Sequence, residues 1–381
     1  MSRFFDLVSK PAREMGSYLS GLPPRHSSEG TLSKLIRLDS NENPLGPSPA
    51  AIVAMQAALA ASNSYPDDDC TELRRRLARH HDLAVEQVLV TVGSTAMLSL
   101  LCQTMLGPGL NAVTSKQSFI VYGMAVHATG AQFIEVPQRE NGFDLAAILG
   151  AINEHTRLVL LANPNNPTGT LLDPVSVEEF IARVPAHVVV VLDEAYYDFA
   201  AHFASLRKVE YSRSLRYIKR GANVVVLRTF SKAHGLAGLR VGYGLGPAEL
   251  LAYCARMRDT FSVSSIAQAA AMAALDDQSH VERVVDSNAV QAVVLTEGLS
   301  QLGYKVVPTW ANFVYCDVGE DAAALAGRLR QEGVSIRPLN AWGAPTCIRV
   351  SVGTAEDNEF FLAALRRVGK VHHRLREARQ S

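Results

Sequence analysis

Three apolar runs, each followed at once by a knot of polar residues, constrain this chain more than any other feature. Arg157 to Ala162 runs into Asn163-Pro164-Asn165-Asn166-Pro167-Thr168-Gly169. His187 to Leu192, four of its six residues valine, runs into Asp193-Glu194-Ala195-Tyr196. Asn223 to Leu227 runs into Arg228-Thr229-Phe230-Ser231-Lys232. None alternates apolar with polar. A strand without alternation is buried on both faces, as in a parallel sheet covered by helices on each side. In such sheets ligands sit beyond the carboxyl ends of the strands. If the three strands are neighbours, an amide, a carboxylate, a phenol, a hydroxyl and an amine converge there.

The rest of the pattern supports a two-part α/β chain. Val88 to Val92, Ala112 to Thr114, Phe133 to Val136 and a Gly-rich run from Leu239 to Leu245 read as further strands. Helices are predicted over Ala50 to Ala61, with Ser48 as cap and Pro49 opening the first turn, over Thr95 to Leu106, and over Ser176 to Ile181. A long helical stretch, Ser265 to Leu302, leads into a different pattern. There, strands at Lys305–Val307, Phe313–Cys316, Val334–Ile336 and Ile348–Val352 surround a helix over Asp321–Gln331. Thr354 with Asp357 opens a last helix. The expected organisation is an arm and part of a small domain in residues 1–59, a doubly wound, mainly parallel sheet domain in 60–275, and a smaller α+β domain in 276–381.

Bulk properties remove several classes of function. The chain has 381 residues, with 37 Lys plus Arg against 37 Asp plus Glu, so nothing draws it to nucleic acid or an anionic membrane. The basic stretch Arg366 to Arg379 reads as a solvated terminal helix. Five widely spaced cysteines with no Cys-x-x-Cys argue against disulfides or zinc and fit a reducing cytoplasm. The histidines, His80-His81 included, lack metal-ligand spacing, so no metal is expected. Met1 to Lys10 carries charges inside any apolar run, unlike a signal peptide, and no stretch is long enough to span a bilayer.

The converging polar groups suit pyridoxal 5′-phosphate (PLP). Lys232 supplies the amine for a Schiff base. Asp193 supplies a carboxylate to keep the pyridine nitrogen protonated, so that the ring accepts electrons from a substrate carbanion. Asn166 and Tyr196 can donate to the phenolic oxygen. Ser231, Arg240 and the helix start at Gly93-Ser94-Thr95 can bind the phosphate. Arg228 receives no role.

At these residues the chain resembles the fold-type-I PLP enzymes of the class II aminotransferase group, most closely the histidinol-phosphate aminotransferases. The likeness is carried by Asn41-Glu42-Asn43-Pro44, Tyr65-Pro66-Asp67, the Asn163 to Gly169 turn, Asp193 to Tyr196, Arg228 to Arg240, Asn312-Phe313 and Ile348 to Gly353, in family order. The resemblance gives Lys232, Asp193, Asn166, Tyr196, Ser231 and Arg240 the roles above. It also implies that Phe119 stacks on the pyridine face, that Tyr65 reaches the phosphate of a neighbouring subunit's cofactor, and that Arg349 grips the substrate carboxylate with Arg337 as a second substrate-side arginine. A guanidinium fork binds a carboxylate in a bidentate way, which suits Arg349 to an amino donor such as glutamate. The implied activity is amino transfer between histidinol phosphate and 2-oxoglutarate by a cytoplasmic homodimer acting on small molecules.

Gln117-Ser118-Phe119 stands where Pro-Thr-Tyr is frequent, Gly93-Ser94-Thr95 where Gly-Ser-Asp or Gly-Ser-Asn is frequent, and His234 where an aromatic is common. No catalytic group is lost by these departures, but substrate preference stays open. Aromatic amino acid transamination and decarboxylation of a phosphorylated amino acid remain alternatives. A regulator's effector half would need a DNA-binding unit, and residues 1–40 show no helix-turn-helix pattern. The Gly242, Gly244, Gly246 spacing is not a dinucleotide fingerprint.

Overall fold

The computed structural model describes residues 4, 5, 7–14 and 35–380, with 369–380 as helix backbone alone. Most of the arm expected over residues 1–40, and most side chains of the basic stretch 366–379, therefore lie outside the described residues. Among the described residues, twelve strands fall into two sheets. In chain order they are β1 (Ile36–Leu38), β2 (Val88–Thr91), β3 (Asn111–Ser115), β4 (Gln132–Val136), β5 (Thr156–Ala162), β6 (Val189–Asp193), β7 (Val224–Thr229), β8 (Gly242–Leu245), β9 (Lys305–Val307), β10 (Phe313–Asp317), β11 (Val334–Pro338) and β12 (Cys347–Ser351).

The larger sheet has seven strands in the order β2-β8-β7-β6-β5-β3-β4. Strands β7, β6, β5, β3 and β4 are mutually parallel. The apolar middles of β7, β6, β5 and β3 are buried on both faces, in one core shared with the covering helices, while the edge strand β4 is half exposed. The sheet is mixed at its other end, because β8 runs antiparallel between β2 and β7. Gly242 and Gly244 let that strand pass close to the Ser94–Met105 helix: a Cβ on Gly244 would lie 2.8 Å from Met97.

The smaller sheet, β1-β11-β12-β10-β9, has its own core. Strand β1, from near the start of the described chain, joins it in parallel beside β11. Helix boundaries follow capping chemistry. Ser48 accepts the Ala51 N–H at 3.1 Å and opens the Pro49–Ala58 helix. Thr354 and Asp357 satisfy each other's N–H groups at 3.2 and 3.3 Å and open the Ala355–Gln380 helix. The helical stretch expected from 265 to 302 is two helices, Ser265–Asp276 and Gln278–Gln301. Asp277 divides them, since its carboxylate accepts the His280 N–H and so caps the second helix.

Candidate active site

Strands β5, β6 and β7 are sheet neighbours, and register aligns their tips: Ala162 stands opposite Asp193, and Asp193 opposite Leu227. The three polar knots therefore leave the sheet side by side. They form one wall of a cavity of about 340 Å³ to which Lys232, Asp193, Asn166, Tyr196, Ser231 and Arg240 all contribute. The opposite wall comes from the small sheet and from Ser40-Asn41, just beyond β1.

Lys232 points into this cavity, its Nζ donating to the carbonyls of Ser40 at 3.2 Å and Asn41 at 3.0 Å. Burial pushes its pKa down to about 7; Arg349 and Arg240 add to that, and Glu42 opposes them. A large fraction of neutral, nucleophilic amine near neutral pH follows. Asp193 is also buried, and burial pushes its carboxyl up to about 6 although hydrogen bonds oppose the rise. Its Oδ2 accepts from the Tyr122 hydroxyl at 3.0 Å and its Oδ1 from the Ala195 N–H at 3.2 Å.

Two amides aim at one phenol. Asn41 Nδ2 donates to Tyr196 Oη at 2.9 Å and Asn166 Nδ2 donates to it at 3.2 Å. Asn41 holds a left-handed conformation, φ 54°, with its N–H and Oδ1 both bonded to the Ser351 hydroxyl of β12. Phe119 lines the cavity, and its loop is tied to the small sheet's side by Trp342, whose Nε1–H donates to the Ser118 carbonyl at 2.9 Å.

At the far end of the cavity the Ser94–Met105 helix begins, and Ser94 and Thr95 line the wall. Gly93 is the turn before it, at φ 86°, and a Cβ there would lie 2.7 Å from an Arg240 nitrogen. Ser231 Oγ accepts from Arg240 Nη1 at 3.4 Å. Gly242 completes the concavity, since its Cβ would meet the Ser94 N–H nitrogen at 2.5 Å. Helix N–H groups, the three hydroxyls of Ser94, Thr95 and Ser231 and the Arg240 guanidinium make an anion cradle.

The small sheet presents two arginines. Arg337 on β11 and Arg349 on β12 stand directly opposite each other in antiparallel register, and both line the cavity. Like charges placed so destabilise a sheet. Both donate to one carbonyl, that of Asp39, at 3.2 and 2.8 Å, and Arg349 also donates to Asn166 Oδ1 at 2.6 Å.

Tyr65 is not in this cavity. It is 82% exposed and stacks on Phe261 at 4.6 Å between ring centroids. Arg228, left without a role by sequence reasoning, makes a buried ion pair with Glu194 at 2.8 Å and lies over the Tyr197 ring. Sequence reasoning also passed over Tyr122 and Ser40. The only local signal for Tyr122 is an aromatic three residues after Phe119.

This donor set fits pyridoxal phosphate from end to end: an amine for the aldehyde, a carboxylate for the ring nitrogen, an amide and a phenol for the ring hydroxyl, and an anion cradle for the phosphate. Fold and site together define a fold-type-I aminotransferase. The chain belongs to the class I and II aminotransferase family, which it matches over residues 33–365. Its relatives include histidinol-phosphate aminotransferase 2 of Pseudomonas aeruginosa, 42% identical over 97% of this chain and 99% of that protein. Histidinol-phosphate aminotransferase of Moorella thermoacetica is 41% identical over 88% of this chain and 85% of that protein. Among solved structures, histidinol-phosphate aminotransferase of Sinorhizobium meliloti in complex with pyridoxal-5′-phosphate superposes with a TM-score of 0.83, at 30% identity over 89% of this chain and 92% of that one.

Proposed function

We propose that this chain transfers an amino group from histidinol phosphate to 2-oxoglutarate, giving imidazole acetol phosphate and glutamate, with PLP carried on Lys232. The paired arginines, Arg337 opposite Arg349, carry the substrate assignment. Two like charges in one cavity wall suit a site that takes a phosphate in one half-reaction and a dicarboxylate in the other. The names of the relatives agree with that chemistry.

When bound, PLP supplies an aldehyde that captures amines and a ring that accepts the electron pair left when a substrate Cα loses its proton. The protein does the rest. Lys232, in good part neutral near pH 7, would take the proton from the substrate Cα and hold it for return to the reacting group. Asp193 would hold a proton on the ring nitrogen. Asn166 and Tyr196 would donate to the ring hydroxyl. Ser94, Thr95, Ser231 and Arg240 would bind the phosphate, and Phe119 would cover a ring face. Arg349 orients the carboxylate of glutamate or 2-oxoglutarate, and Arg337 with it takes the phosphate of histidinol phosphate.

The exposed Tyr65 supports a homodimer, in which it reaches the partner's phosphate site. Light scattering should find a dimer; a fully active monomer would contradict this part. Five free, buried cysteines agree with a cytoplasmic location, and no helix among the described residues is long and apolar enough to cross a membrane.

The test is a product assay with histidinol phosphate, phenylalanine and O-phosphothreonine, each with 2-oxoglutarate. Glutamate formation is expected chiefly with histidinol phosphate. Preference for phenylalanine, or carbon dioxide from O-phosphothreonine, overturns the substrate assignment. Lys232→Ala should lose turnover and the absorbance band of lysine-bound cofactor, and full activity there overturns the whole reading.

A further inference from the structure

We propose that Tyr122 is a positioning residue, which locks together the two groups assigned to the cofactor ring, Asp193 and Phe119. The inference rests on the cofactor reading above and deepens it.

Tyr122 lies near the start of the Val121–His127 helix and is fully buried. Its hydroxyl donates to Asp193 Oδ2 at 3.0 Å, bridging from the segment after β3 to the tip of β6, 71 residues on. Its ring edge meets the Phe119 ring at 5.6 Å and 88°, an edge-to-face contact. One side chain thus braces the stacking ring and holds the carboxylate.

Chemistry makes the arrangement directional. Burial and the neighbouring Asp193 charge push the Tyr122 phenol well above its ordinary value, so it stays protonated and remains a donor. Asp193 is left with one lone-pair face fixed by Tyr122 and the other oxygen fixed by the Ala195 N–H. Rotation of the carboxylate would break both bonds. Glu194, next in the chain, disfavours the Asp193 charge, and Tyr122 counters that. Tyr122 does not line the cavity and makes no step of the reaction itself; it acts through Asp193 and Phe119.

The test is a double-mutant cycle on the full chain with PLP, using Tyr122→Phe, Asp193→Asn and the double variant. Tyr122→Phe deletes one oxygen and keeps the ring edge against Phe119. The readouts are the PLP dissociation constant and the pH titration of the bound cofactor's absorbance band. Loss of a hydrogen bond to a charged group predicts about tenfold or greater weakening of PLP binding in Tyr122→Phe, with a shifted titration. In the Asp193→Asn background the same change should alter the constant by less than about twofold. Equal effects in both backgrounds, or wild-type binding and titration in Tyr122→Phe, overturn the proposal. If Asp193→Asn alone leaves binding and spectrum untouched, the cofactor reading itself fails, which is a separate and recognisable outcome.

Discussion

Asp193→Asn should stabilise the cofactor-free protein while weakening the holoenzyme, and the size of the first effect follows from burial. In the cofactor-free cavity burial pushes the Asp193 carboxyl up to about 6, against about 3.9 in an unfolded chain. A raised carboxyl binds its proton more tightly in the folded state. Its contribution to stability is therefore fully present below the unfolded value and is lost as pH rises through about 6. Each tenfold gain in proton affinity is worth about 1.4 kcal/mol, so a gain of roughly a hundredfold makes the total about 3 kcal/mol, of which roughly half is lost between pH 5 and pH 8. Asparagine does not titrate and keeps the volume of the carboxyl. Urea unfolding of both proteins without PLP at pH 5 and pH 8 isolates the effect, because every other group titrates alike in the two. The variant's advantage should grow by about 1.4 kcal/mol across that interval. With saturating PLP the order should reverse, since a ring nitrogen carrying a proton compensates the buried carboxylate. An advantage that stays flat with pH would refute the argument that Asp193 is a buried charge awaiting a cationic partner.

Three further outcomes follow from the same geometry. Capture of PLP by the cofactor-free protein, followed by stopped-flow absorbance, should slow about tenfold per pH unit below about 7, because the Lys232 amine becomes protonated there; a rate constant unchanged down to pH 5 would contradict the assigned nucleophile. Gly93→Ala should raise the PLP dissociation constant at least about tenfold, since the new Cβ would lie 2.7 Å from Arg240, yet cost only about 1 kcal/mol in urea unfolding for the positive φ; unaltered PLP affinity would remove Arg240 from the phosphate site. Arg228→Met should destabilise by about 3–5 kcal/mol by stranding the buried Glu194, and adding Glu194→Gln should recover much of this; a single variant within about 1 kcal/mol of wild type would show the pair to be of little structural weight.

The sequence by itself determined which residues leave the sheet and in what company. Lys232, Asp193, Tyr196 and Asn166 were legible because each follows an apolar run within a few residues, and a buried strand must end where the chain turns polar. Ser48 and the Thr354–Asp357 pair were legible for the same kind of reason: capping is decided within four residues. Tertiary structure alone decided contacts between distant segments. Asn41 meets Tyr196 across 155 positions, and Arg349 meets Asn166 across 183. The antiparallel course of β8 and the break at Asp277 also escaped the sequence pattern, since apolar runs do not encode strand direction and a helical period does not mark one interrupted turn. The opposition of Arg337 and Arg349 depends on strand register, which twelve residues of spacing do not specify. Burial is the physical reason behind the division. Local pattern says that a group is polar, but the packing of remote segments decides whether it meets water, another protein group or a ligand, and so sets its protonation and its use.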